Sequence, residues 1–243
     1  MNMKESYLIQ DFRRTAAQRF PARSEQLNAA FDARLRALQS ENANASPEKQ
    51  FHLERQILPG IAAYEALQTV MPKVEAFETI HGYVEQHARH AHKVLAALLH
   101  LLGLYRLVPG IFARMTRRAF GPAAGFAATE LQTDNSVWRI DMTKCPYHDE
   151  CTRYGCPELC RCFCDSDDVS YAGLHPRLLW RRTKTLDRGD DRCDSCARWE
   201  SKQMRTFRYC LNHKADEAYM AKMCTALLFS YTRLIRSLRK ARQ

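Results

Sequence analysis

All ten cysteines of this chain lie after residue 144. That segregation limits what each part can build. The first 144 residues must form their core from aliphatic and aromatic side chains. The remainder must accommodate Cys145, Cys151, Cys156, Cys160, Cys162, Cys164, Cys193, Cys196, Cys210 and Cys224. Met1 to Gln10 has no apolar stretch of the kind found in a secretory signal, so a cytoplasmic location and mostly reduced thiols are expected. Densely spaced reduced thiols point to metal ligation, catalysis or redox chemistry. Cys224, in an apolar helical stretch, reads as an inert core thiol.

The thiol-free part reads as helical. Leu8, Phe12, Leu27, Phe31, Leu35 and Leu38 recur at helical spacing within a helix over 1–45. Ser46 then reads as an N-cap with Pro47 at the first helical position, and this second helix runs to about Thr69. A third helix starts near Pro72. Its buried seam is expected at Val74, Phe77, His81, Val84, Ala88, Ala91, Leu95, Leu98 and Leu102. His81 lies in that stripe, either as a hydrogen-bonded core histidine or as part of the lining of a ligand cavity. Val94 to Tyr105 is the longest uncharged run, twelve residues against the ~20 that span a bilayer, so no transmembrane segment is expected.

Composition shifts near Asp134, which divides the chain into a helical part, 1–134, and a cysteine-rich part, 135–243, expected to pack as one unit. Strands are expected at 136–142, 177–186 and 192–199, and an amphipathic helix from Asp216 to Arg239. The fold class is therefore α+β: a helical N-terminal half on a small antiparallel sheet, with a C-terminal helix. The net charge of +10 is uneven, with 16 basic and 13 acidic groups up to residue 135 and 21 and 14 after it. Such an excess suits an anionic small molecule. Nucleic acid is not expected, because the basic stretch 177–188 holds only Trp180 as a stacking aromatic. Composition and pattern leave the oligomeric state open.

Six thiols and His148 fall within 145–168, and Cys193-Asp-Ser-Cys196 supplies a CxxC pair downstream. Such a set could take Zn²⁺, an iron–sulfur cluster or Cu(I). One geometrically allowed tetrad joins Cys145 and Cys151 with Cys193 and Cys196, holding a divalent metal such as Zn or Mn. If 160–164 is a strand, Cys160, Cys162 and Cys164 share a face. If it is a helix, that triple is split and Cys156 and Cys160 are neighbours.

The ordered string is more specific than the cysteine count. Glu158-Leu159, Phe163-Cys164-x-x-Asp167, Leu174-His175-Pro176, Arg182-Thr183-x-Thr185-Leu186-x-x-Gly189 and Cys193-Asp194 together resemble the L-2-amino-thiazoline-4-carboxylic acid hydrolase family. The pattern departs from the family at Ser195, where an aromatic is usual, and in the extra Cys196. The resemblance implies a small anionic sulfur-containing substrate, a five-membered cyclic isothiourea bearing a carboxylate. Water adds to the ring carbon between sulfur and nitrogen. Sulfur then leaves, because a thiolate is a better leaving group than an amide-like anion, giving N-carbamoyl-L-cysteine.

Such a reaction needs a base for water, a partner for the amidine and a cation for the carboxylate. Asp167, Asp168 and Glu158 are candidates for the first two roles, and Arg182 or Arg181 for the third. Thr183 and Thr185 flank that site as substrate-binding or structural groups. Cys164 is a candidate nucleophile activated by His148, or a metal ligand. The competing function is a thiol-rich module that holds a metal or small ligand without turnover.

Overall fold

The computed structural model describes residues 6–134 and 136–200. Cys210, Cys224 and the helix expected over 216–239 lie outside the described residues. The rest is α+β, as the periodicity requires, with eight α-helices and one four-stranded antiparallel sheet among the described residues.

The helix expected over 1–45 is two helices, α1 (Tyr7–Arg19) and α2 (Ser24–Glu41). Pro21 accounts for the break. Phe20, just before it, leaves the helical region at φ −133° and ψ 52°, as a residue preceding proline tends to do. The two helices pack through Phe12 and Phe31, whose rings stack 4.5 Å apart and are fully buried.

Ser46 caps α3 (Pro47–His52), accepting from the Lys49 N–H at 3.3 Å, with Pro47 at the first position. A π-helical turn, Leu53–Ile57, joins it to α4 (Leu58–Gln68). Pro59 has no N–H to offer the Arg55 carbonyl four residues back. The Ser6 hydroxyl supplies that bond at 2.6 Å while its oxygen accepts from the Leu8 N–H, so one side chain starts α1 and completes the helix opposite.

α5 (Lys73–Leu102) is the long helix after Pro72, and its seam differs from the expected one. Ala76, Ile80, Tyr83, Val84, Ala88 and Leu99 are buried, whereas Val74, Leu98 and Leu102 are exposed. Val84 and Ala88 are common to both. From Val94 to Leu102 every position but His100 is apolar, so this end of the helix offers little polar face to fix its rotation. No single helix among the described residues is long and apolar enough to cross a membrane.

α6 (Val108–Ala119) lies against the sheet, which has the order β1-β2-β4-β3. β2 (Val137–Lys144), β3 (Leu178–Arg182) and β4 (Cys193–Trp199) match expected strands, although β3 stops four residues short. β1 (Ala127–Thr133) was not expected. It is an edge strand with no buried position and therefore no alternation to read. Residues 160–164 are helical. They open α8 (Cys160–Tyr171), which follows α7 (Pro146–Arg153) and packs on α5 and β3.

Candidate active site

Three strands present small and large side chains in register on one face. Trp138 of β2 faces Ala197 of β4, which faces Trp180 of β3. Two residues along, Ile140 faces Ser195, which faces Arg182. Two further along, Met142 faces Cys193. Each step is ~7 Å. The face therefore changes from aromatic, through a guanidinium and a hydroxyl, to a thiol. It forms one wall of a cavity of about 500 Å³.

α8 forms a second wall. Cys164, Asp167, Asp168 and Tyr171 are spaced i, i+3, i+4 and i+7, so they lie on one helical face. Arg182 joins that face to the sheet. Its side chain is 4% exposed, and Nη2 donates to the Cys164 carbonyl at 2.6 Å and to Asp168 Oδ2 at 2.8 Å. Nη1 reaches Asp167 Oδ2 at 3.4 Å. Asp168 also accepts from the Trp180 indole N–H at 2.7 Å. Asp168 is thus committed to the wall, whereas the long Arg182 contact is the hydrogen bond Asp167 has.

About half of the Asp167 side-chain surface is open to the cavity, yet protein atoms crowd round the carboxyl. Burial pushes its carboxyl up to about 6, opposed by Arg182 and assisted by Asp168. Burial works against the charge of Arg182, but the two aspartates outweigh it and hold its pKa up. The thiols are held neutral. Cys164 shares its proton with Cys160, 3.9 Å away, and this contact and burial raise its pKa strongly. Burial raises Cys145 strongly and Cys193 to about 11.

The remaining walls give the cavity a long axis. α6 runs along it for ~10 Å from Phe112 to Ala119. At the Phe112 end an aromatic cluster forms: Phe112 meets Trp138 edge-on at 5.4 Å and Tyr171 at 4.8 Å, and Tyr171 meets Trp180 at 5.1 Å. At the Ala119 end the groups are polar. His52 Nε2 donates to the Ala119 carbonyl at 2.7 Å, and Nδ1 lies 3.1 Å from the Tyr147 hydroxyl, which donates to Gln56 Oε1 at 2.6 Å. Burial lowers the pKa of His52, against the pull of the Ala119 carbonyl. Arg55, exposed, lies with its guanidinium 5.0 Å from the Phe51 ring at the same end. Asp167 and Arg182 sit between the two ends.

The sequence model of the L-2-amino-thiazoline-4-carboxylic acid hydrolases matches residues 50–196. The chain belongs to this family. Comparison with curated proteins and with solved structures returns no match. The matched stretch runs from within α3 into β4, and of the cavity lining only Tyr7 falls outside it. The family places the chain among hydrolases.

Within this hydrolase frame the predicted site residues separate into two groups. Cys164, Asp167, Arg182, Cys145 and Cys193 line the cavity, and Asp168 supports it from behind. The others lie elsewhere. Glu158 accepts from Tyr64 at 2.6 Å and pairs with Lys73 at 2.9 Å beside α4, and these partners outweigh burial to lower its pKa. His148 stands on α7, 3.8 Å from Asp149. His81 meets Asp165 at 3.2 Å. Thr183 donates through its hydroxyl and its N–H to Asp194, and the Thr185 N–H donates to Asp190, so both shape the loop after β3.

The four thiols of the expected tetrad do not converge. Cys145 and Cys193 share the cavity, Cys151 is buried in the helical core, and Cys196 occupies the other face of β4. Among the described residues no group of three or more His, Cys, Asp or Glu side chains is set to hold a metal ion. Sequence reasoning missed Arg55, Gln56, His52 and Tyr147. They come from α3, the π turn and α7, and no local motif links them.

Proposed function

We propose that the chain hydrolyses a small cyclic isothiourea acid of the L-2-amino-thiazoline-4-carboxylate kind, opening it to N-carbamoyl-L-cysteine. The observation that carries the reading is the loosely bonded carboxylate, Asp167, in the cavity wall with its pKa raised to about 6. At neutral pH it is ionised and can take a proton from water, and once protonated it is acidic enough to return that proton. Water oxygen bonds to the amidine carbon and Asp167 takes the proton. The carbon–sulfur bond then breaks, sulfur keeps the electron pair, and the proton passes to it.

Arg182 acts as a positioning residue, since its donors already hold Asp167, Asp168 and the Cys164 carbonyl. The carboxylate of the ring goes to the polar end, where Arg55 has no carboxylate partner among the described residues. Cys164 and Cys193, held as neutral thiols, serve as weak donors beside the leaving sulfur rather than as nucleophiles. The test is incubation with the thiazoline acid while free thiol is followed. One thiol per ring opened is expected, with loss of the signal in Asp167→Asn. A stoichiometric metal held on four thiols, with no thiol released, would overturn the reading in favour of a metal- or ligand-holding module.

A further inference from the structure

The cavity is larger than the ring acid requires. A bare five-membered ring acid fills roughly 150–200 Å³, the share of five or six waters at about 30 Å³ each. The cavity holds about 500 Å³. Part of that space is lined by a cluster of aromatic rings. Down the central strand the side chains are small, Ser195 and then Ala197, while Trp138 and Trp180 flank Ala197 on either side. The two indoles lie within 16° of parallel with centroids 6.2 Å apart, and Phe112 meets both edge-on, at 5.4 and 6.1 Å. Tyr171, one helical turn beyond Asp167, closes the same end. The polar groups that would suit a carboxylate are at the opposite end, beyond Asp167.

We infer that the ring acid this chain opens carries a flat aromatic arm on its exocyclic nitrogen, lying in the Trp138–Phe112–Trp180 end of the cavity. This rests on the hydrolase reading. In the ring the exocyclic nitrogen and the carboxylate point in opposite directions from the amidine carbon. With that carbon at Asp167 and the carboxylate toward Arg55, the nitrogen points at the aromatic end. One strand rung, ~7 Å, separates Arg182 from Trp180, a span that the far edge of a benzyl ring reaches when its one-carbon link is extended from the amidine carbon. Aromatic walls with edge-to-face geometry favour another ring over a polar or charged arm. Water adds to the ring carbon and the carbon–sulfur bond breaks as before, leaving an N-arylalkyl-carbamoyl cysteine with a free thiol.

The experiment compares 2-amino-thiazoline-4-carboxylate with its N-benzyl analogue on the full chain, by thiol release and by quenching of tryptophan fluorescence. At least tenfold tighter binding of the benzyl compound is expected, with kcat/KM raised by a similar factor. In Phe112→Ala the ratio between the two compounds should fall several-fold. Equal or weaker binding of the benzyl compound to the unaltered chain, or binding of neither, overturns the inference. Tighter benzyl binding without thiol release from either compound sinks the hydrolase reading and leaves the arm site standing. The two failures are thereby distinguishable.

Discussion

Thiols of one short segment meet two fates. Cys151, Cys156, Cys160 and Cys162 are buried in the helical core among Leu58, Ile61, Tyr64 and Leu159. Cys145, Cys164 and Cys193 line the cavity. The residue type is the same and position along the helix separates them: on α8, Cys160 and Cys164 share a face one turn apart, with only Cys164 reaching the cavity beside Asp167, while Cys162 points to the opposite side. Burial raises the pKa of Cys162, and the Cys160 contact together with burial raises that of Cys164, in each case against the pull of a nearby arginine, so density alone creates no reactive centre. What distinguishes the cavity side is that Asp167 and Arg182 line the same space as its thiols.

The largest effect should separate two carboxylates that looked alike in sequence. Asp167→Asn should lower turnover by ~10²–10⁴-fold, the range of a lost general base, with the melting temperature retained. Glu158→Gln, beside Tyr64 and Lys73, should change turnover less than about twofold. Thiol release and thermal melting check both.

The pH dependence sharpens the same contrast. The rate constant kcat/KM should fall about tenfold per unit below pH ~6, and Asp167→Asn should abolish that limb. Stability should move the opposite way. The folded chain binds this proton more tightly than the unfolded chain, whose carboxyl titrates near 3.8. The contribution to stability is therefore complete below about pH 4 and is lost as pH rises through about 6. Denaturant melts of Asp167→Asn across that window should be flatter than those of the parent.

Arg182→Ala should cost about 2–3 kcal/mol. That is less than breaking a fully buried pair, because both aspartates keep contact with the cavity. Arg181→Ala, on the exposed face of the same strand, should stay within about 0.5 kcal/mol in the same denaturant titration. On the core side, Cys162→Ser buries a hydroxyl in an apolar setting and should cost about 1–3 kcal/mol, whereas Cys193→Ser, beside the cavity, should cost less than about 1.

The smallest effect is expected at Gly60. A Cβ there would lie 2.9 Å from Phe163 Cζ. Overpacking costs about 1–3 kcal/mol, but alanine regains about 1 in helix propensity. Gly60→Ala should therefore shift the melting temperature little, and the displaced Phe163 ring should register instead as a raised KM.

How much of this was legible follows from where the information sits. The Cys164-x-x-Asp167 spacing, Arg182 and Cys193 were readable because each lies in a short, ordered string that the family shares. The alternation of Cys160, Cys162 and Cys164 suggested a strand as readily as a helix, since period two and period 3.6 are hard to separate over five residues. β1 lacked any buried face to announce it. The polar end was not legible, because Tyr147 is more than 90 residues along the chain from His52 and Gln56 and meets them only through the packing of α7.

The π turn at Leu53–Ile57 also sets a phase. It amounts to one residue slipped into an otherwise continuous helix, so everything ahead of it is rotated by ~100° relative to α4. Deleting a single residue there would restore an unbroken α ladder and swing Phe51 and His52 by that quarter-turn, carrying His52 away from the Ala119 carbonyl and Tyr147. The polar end of the cavity is thus keyed to the length of the chain between Pro47 and Pro59, and it tolerates substitution in that span more readily than any change in the count of residues.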